Sequence, residues 1–401
     1  MTRAPSIMVV AGEASGDLHG AGLCAALRTL SPSTRVFGMG GERMRAAGAE
    51  IVADVSRGAV VGGTEAVSSV PALYRVYRRL RRVLERERPG VLVLIDFPEF
   101  NLRLARAART AGVPVVYFVP PQIWAWRGRR IKTIRHLVSL VLAVFPFEQA
   151  FYRDAGVPVE FVGHPLLDAL VEAPTRAEAR RVLGIADDGL VIGLLPGSRR
   201  GEATQMLPLM RESAARLSAD WPHARFVLAQ APTLDDALLH EAVAGAPVIR
   251  VVRDATHMVM RAADLLLVTS GTATLEAALL GTPMIVCYRL SRVTELLAKL
   301  LVRVPWISLA NLTLGRAVVP ELCRRRDVTV ERLVDEARRL LESPEARDAQ
   351  RTAFAELRAQ LGEPGVGRRA AQIILGGRLC PPFETSSSTD CGGKAAARTP
   401  R

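Results

Sequence analysis

The apolar run Leu265-Leu266-Leu267-Val268 ends in Ser270-Gly271-Thr272-Ala273, and Glu276 follows close behind. The run predicts a buried strand, and residues 274–280 read as a helix. The small residues between them let a ligand approach the backbone closely. A helix N-terminus there offers free N–H groups and a positive dipole end, which suits phosphate. A capping box would occupy Glu276, but its spacing fails, since Ala273 stands three after Ser270 and Leu275 three after Thr272. Glu276 is left with two readings, an acceptor for a sugar or ribose diol or a solvated surface carboxylate.

A second turn of the same kind, "LPGSRRGE" at 195–202, follows another apolar run. Gly197 and Ser198 suit a tight turn, and the planar fork of Arg199 matches a diphosphate. The competing reading is an exposed turn with a solvated Arg. Two such turns in one half of the chain predict a nucleotide-diphosphate site. The chain has no G-x-x-x-x-G-K-[ST] motif, and neither turn completes G-x-G-x-x-G. That argues against a P-loop nucleotidase and a dinucleotide cofactor.

In the first half, "VLVLIDFPEFN" ends an apolar run on Asp96. A carboxylate at the mouth of a buried strand is a candidate general base, because partial burial tunes its pKa. Glu99 and Asn101 share its loop. "GEASGDLHGAGL" crowds Glu13, Ser15, Asp17 and His19 into one turn. His19 is a second candidate base, while Asp17 reads as a helix-start residue. In "VPPQIWAWRGRR", Trp124 and Trp126 either wall a sugar or acyl chain or pack on the core. The six His show no H-E-x-x-H spacing, and no D-x-D pair is present, so no metal is expected.

These residues must be positioned by alternating strands and helices. Strand-like runs fall at 7–11, 91–95, 115–118 and 141–145, then at 191–195, 226–229, 265–268 and 284–288. Continuous apolar strands separated by helices imply parallel sheets covered on both faces. The expected class is α/β, with two Rossmann-like domains facing a cleft. Residues 1–170 form the first, 171–188 a linker and 189–378 the second, and 379–401 read as a disordered tail. Ligands in such sheets bind beyond the carboxyl ends of the strands. Residues 71–88 carry Leu73, Val76, Tyr77, Leu80, Val83 and Leu84 on one helical stripe and Arg on the other face.

The formal net charge is +13, which favours anionic partners. Aromatic residues make up only 5% and do not alternate with basic ones, so nucleic acid is not expected. An acidic membrane surface fits the basic face of 71–88, with the preceding "GAVVGGTEAVSSV" as an apolar lip. Five scattered Cys without a C-x-x-C pair suit a reducing compartment. No apolar stretch reaches membrane-spanning length. The expected location is cytoplasmic, peripheral on the inner membrane.

Taken in order, "GEASGDLHGAGL", "GMGGERMRAAG", "IDFPEFN", "QIWAWRGRRIKTI", "FPFEQAFY", "FVGHPLLD", "LPGSRRGE", "SGTATLEAALLGTPMIVCYR" and "NLTLGRAVVPEL" resemble the lipid-A-disaccharide synthase family. The resemblance implies a GT-B type glycosyltransferase without cofactor. Its donor would be UDP-2,3-diacylglucosamine and its acceptor 2,3-diacylglucosamine 1-phosphate, joined by a β-1,6 linkage with loss of UDP. It implies Asp96 as the base. On the donor side it places Gly197, Ser198, Arg199, Ser270, Gly271, Thr272, Ala273, Glu276, Asn311 and Glu321. The acceptor-side candidates, read from their loops, are Glu13, Ser15, Glu99, Asn101, Gln122, Trp124 and Trp126. The chain has Pro120, Glu99 and Arg324 where the family usually has Ser, often Asp, and Gln. Fold alone leaves open another UDP-N-acetylglucosamine-using transferase, a 2-epimerase, or a non-catalytic lipid- or nucleotide-sugar-binding protein.

Overall fold

A computed structural model describes residues 5–54, 66–126, 128–243, 249–289, 304–324 and 326–377. The expected tail, most of the lip before residue 71 and the side chain of Trp126 lie outside the described residues.

Seven parallel strands build the first sheet: β1 (Ser6–Ala11), β2 (Arg35–Gly40), β3 (Glu50–Asp54), β4 (Val91–Ile95), β5 (Val115–Phe118), β6 (Leu140–Ala143) and β7 (Val159–Phe161). Their spatial order is β3-β2-β1-β4-β5-β6-β7. Six parallel strands build the second: β8 (Val191–Leu195), β9 (Arg225–Gln230), β10 (Ile249–Arg253), β11 (Leu265–Thr269), β12 (Met284–Cys287) and β13 (Glu321–Leu322), in the order β10-β9-β8-β11-β12-β13. Both orders reverse beside the first strand of their sheet, between β1 and β4 and between β8 and β11. Such switch points are where parallel sheets open a crevice. The central strands β1, β4, β8 and β11 are buried almost throughout, as their unbroken apolar runs require.

Five strands escape the apolar-run reading. β2 is one of them: its Gly38 sits so close to β1 that an added Cβ would stand 1.9 Å from the Val9 carbonyl oxygen. Close backbone approach, not side-chain burial, sets that position.

The helix Ala66–Glu87 extends beyond the predicted stripe, with Pro71 inside it. Leu80 and Leu84 are fully buried, and Leu73, Val76, Tyr77 and Val83 pack beside them. The segment 171–188 holds a helix, Arg176–Leu183, capped at both Thr175 and Glu178. Its Arg180 is buried and donates to the carbonyls of Ala262, Ala186 and Asp187 and to Asp264. A buried guanidinium needs such a set of acceptors, and this one ties the segment to the second half.

The chain ends by crossing back. Asp168 accepts hydrogen bonds from the N–H groups of Gly365, Val366 and Gly367, anchoring the helix Val366–Leu375 on the first half. There it lies against the helix Ala14–Leu30, and a Cβ at Gly367 would meet the Gly22 carbonyl oxygen at 2.7 Å. One apolar cluster runs from Leu23 and Leu27 through Ala370 and Ile374 to Phe354, Leu357 and Leu275. The two halves thus share a core beneath the cleft.

Candidate active site

Ala11 pairs with Ile95 in register, so the turn at Gly12–Glu13 lies beside Asp96–Phe97. Asp96 (φ 45°) and Phe97 (φ 46°) are both left-handed. For non-glycine residues that conformation costs about 1–2 kcal/mol each. The surroundings over-determine it. The Asp96 carbonyl accepts from Asn101 Nδ2 at 2.7 Å and from the Tyr117 hydroxyl at 2.7 Å. The Asp96 N–H donates to the Val119 carbonyl at 3.2 Å. The Phe97 ring lies where a side chain at Gly12 would be, 2.1 Å from an ideal Cβ, and it stacks on Phe100 with centroids 5.4 Å apart.

Burial pushes the Asp96 carboxyl up to about 6, and the charge of Glu13 adds to the shift. The Phe97 N–H and Arg199 oppose it. An ionised carboxylate with that proton affinity is matched to take a proton near neutral pH.

Across the cleft, Leu195 pairs with Val268, which sets the two glycine turns side by side. Gly197 is left-handed (φ 102°), and an added Cβ would stand 2.8 Å from Glu202 Oε2. Arg199 precedes the helix Arg200–Asp220 and donates to Glu202 at 3.0 Å. Its other nitrogen lies 3.9 Å from Glu13 of the first half, a contact that spans the cleft. Ser198 offers its carbonyl to the Thr233 hydroxyl. Gly271 (φ 154°) is the N-cap of the helix Thr272–Leu279, and no side chain caps that terminus. The helix starts two residues earlier than the sequence suggests, because glycine supplies the turn that L-residues resist. Thr272 is exposed, while Ser270 and Ala273 are half-buried. Between the two turns, the Thr269 hydroxyl is buried without a partner among the described residues.

Other expected site residues have structural partners. Glu276 is bonded to His257 at 3.0 Å. Asn101 is fully buried, with its amide on the Ile95 and Asp96 carbonyls, so it braces the turn. Glu99 pairs with Arg130 at 2.5 Å. Trp124 donates to the buried Glu148 at 3.1 Å and meets Phe147 edge-on. Glu148 also accepts from the N–H groups of Val144 and Phe145, and burial pushes its carboxyl up to about 7. Neighbouring Gln122 is exposed, and Ser15 is half-buried.

Asn311 is buried and clamps its loop through Val318, Val319 and Glu321. Glu321 uses both oxygens on Ile307, Ser308 and Asn311. His19 is buried edge-on to His164 at 6.1 Å, and burial pushes it down to about 4, leaving the ring neutral. Asp17 caps a different helix from its own, accepting from the N–H groups of Gly41, Arg43 and Met44.

Sequence reasoning passed over Tyr117, Glu148, Glu202, His257 and Tyr288. Glu202 was within reach, three residues after Arg199 on a predicted helix start. Tyr288, whose hydroxyl burial and Glu202 push upward while Arg199 opposes, stands at the end of an apolar run. Tyr117 and His257 carry no local sign, since their partners are 21 and 19 residues away, and the Trp124 that donates to Glu148 is 24 residues away.

A sequence profile described as lipid-A-disaccharide synthetase matches residues 7–375. The chain belongs to that family. Lipid-A-disaccharide synthases are glycosyltransferases that make the lipid A disaccharide, and the chain shares that activity as a member of the family. The lipid-A-disaccharide synthase of Syntrophus aciditrophicus is 43% identical over 371 residues, covering 92% of this chain and 97% of that one. The enzyme of the same name from Myxococcus xanthus is 42% identical over 383 residues, covering 95% and 99%. Among solved structures, UDP-GlcNAc 2-epimerase from Neisseria meningitidis bound to UDP-GlcNAc superposes with a TM-score of 0.66 at 14% identity, over 92% of this chain and 100% of that one. MurG of Acinetobacter baumannii gives 0.54 at 15% identity, over 93% and 99%. At such identities these two speak for the two-domain GT-B fold alone.

Proposed function

We propose that the cleft joins UDP-2,3-diacylglucosamine to 2,3-diacylglucosamine 1-phosphate by one inverting displacement. The acceptor 6-hydroxyl attacks the anomeric carbon and gives its proton to the Asp96 carboxylate. The bond from that carbon to the diphosphate breaks, and UDP leaves. The observation that carries this reading is the pairing of the two lips: a carboxyl raised to about 6 on one, and Arg199 at the glycine turns of the other, both coupled to Glu13. A base and a cation for the leaving group must stand on opposite sides of the reacting carbon.

On the donor side, Gly197, Ser198, Arg199 and the turn 270–273 take the diphosphate. His257 orients Glu276 through one oxygen, and the other oxygen takes the ribose hydroxyls. Asn311 and Glu321 act by shaping the loop 307–321 that borders this side. On the acceptor side, Glu13, Ser15 and Gln122 are exposed or half-exposed, as is Glu99, which is paired with Arg130. Glu99, Asn101 and Trp124 hold the surrounding loops in place. The test is a product assay by mass spectrometry, with donor alone and with both substrates. Disaccharide 1-phosphate and UDP are expected only with both. UDP release without a disaccharide, or epimerised donor, would replace this reading.

The same protein is inferred to work at the anionic cytoplasmic face of the inner membrane. Arg75, Arg78, Arg79, Arg82 and Arg86 are exposed along the helix Ala66–Glu87, and Tyr74 stands out beside them. Among the described residues, no helix is long and apolar enough to cross a membrane. Flotation with anionic vesicles should show binding that weakens as salt rises. Salt-insensitive binding would point to apolar insertion instead.

A further inference from the structure

The turn that presents Asp96 has a restraint no motif announces. Tyr117 lies on β5, next to β4, with Leu94 paired to Tyr117 and Ile95 to Phe118. Its side chain is fully buried in the first-half core. Its hydroxyl reaches past the end of β4 to the Asp96 carbonyl at 2.7 Å.

We propose that Tyr117 is a positioning residue for the Asp96 carboxylate: its hydroxyl, with the Asn101 amide, fixes the Asp96–Phe97 peptide and so aims the base into the cleft. The inference rests on Asp96 being the base. A peptide plane between two left-handed residues has no helix or strand ladder to hold it. Here its carbonyl carries two donors, Tyr117 Oη and Asn101 Nδ2, which together use the oxygen's acceptor capacity. Rotation of the plane would break both bonds and leave a buried phenol unpaired. The Phe97 side of the turn is separately held, by the Asn101 N–H on the Phe97 carbonyl at 3.0 Å and by the ring over Gly12. The remaining freedom is that of the peptide, and Tyr117 restrains it from the neighbouring strand. Burial, with the Asp96 charge adding, pushes the phenol well above its ordinary range, so it remains a donor wherever the enzyme works.

Tyr117→Phe keeps the ring in the core and removes only the donor. The expected result is a kcat lower by about ten- to a hundredfold, the effect of a misplaced catalytic group. The donor KM should stay within about twofold, and the melting temperature should drop only slightly. Asn101→Ala, which removes the second donor, should lower kcat in the same sense. Placed on Asp96→Ala and followed at high enzyme concentration, Tyr117→Phe should subtract nothing further from the residual rate. An unchanged kcat in Tyr117→Phe would overturn the proposal. So would a loss shared by kcat and KM that tracks lowered stability, or an equal loss on the Asp96→Ala background. If Asp96→Ala itself keeps its rate, the base assignment fails and this inference with it. If Asp96→Ala is inactive and Tyr117→Phe is not impaired, only the positioning role fails.

Discussion

At the ends of β1 and β4 the proposed base is a largely buried carboxyl, Asp96, whose turn is braced by Tyr117, Asn101, Val119 and the Phe97 ring. At the ends of β8 and β11 stands a row of backbone N–H groups in glycine turns, with a half-exposed Arg199. The two lips meet different demands. A base needs a raised pKa and a fixed direction, and both come from burial and from partners far away in sequence. A diphosphate needs positive dipoles and room for close approach, which a short stretch of small residues at a helix start supplies by itself.

Substitutions on either side of the cleft test this contrast. The largest effect is expected for Asp96→Ala, which should lower turnover by about a thousandfold or more while UDP still binds. Steady-state kinetics and UDP calorimetry check it; near-normal turnover would remove the first lip from the chemistry. Arg199→Ala should cost about a hundredfold in kcat/KM and weaken UDP as well, because its charge acts on the leaving diphosphate. If UDP binds unchanged, the second lip relies on its backbone alone.

Smaller effects appear in pH profiles. The acid limb of kcat/KM should bend near 6, where Asp96 loses its proton. Glu13→Gln removes a negative neighbour and should move the limb down, by a few tenths of a unit to about one unit. Arg199→Ala removes a positive neighbour and should move it up. Parallel shifts in both variants would contradict the coupling across the cleft.

The smallest effect concerns stability. Glu148 is raised on folding from 4.5 to about 7, so the native state holds its proton more tightly than the unfolded chain. Its contribution is fully present below the unfolded value and fades as pH rises through about 7. Thermal melts between about pH 5 and 8 should therefore slope downward more for the parent than for Glu148→Gln. Equal slopes would mean that Glu148 does not titrate in that window.

The second lip was largely legible in the sequence. Gly197, Gly271 and Arg199 stand where their types and spacing put them, because a strand, a glycine turn and a helix start are local features. The helix bound at 272 instead of 274 is a small shift caused by the Gly271 cap. Asp96 was legible as a carboxylate at a strand end, but its strained backbone and its braces were not. Asn101, Trp124, Asn311 and Glu321 were recognised as important, yet the structure gives each a partner within the protein. The sequence shows a polar residue in a loop and cannot show which way it turns.

The amino-acid sequence carries the α/β class, the family, the strand-end placement of Asp96 and the turns and helix starts that hold Arg199 and Glu276. These rest on apolar runs and turn chemistry that act over a few residues. Only the tertiary structure decided that Glu13 spans the cleft to Arg199, that Tyr117 braces Asp96, and that the last helix returns to the first half. Each depends on strand order and register, which bring together residues tens to hundreds of positions apart, and a pKa follows from the burial that results.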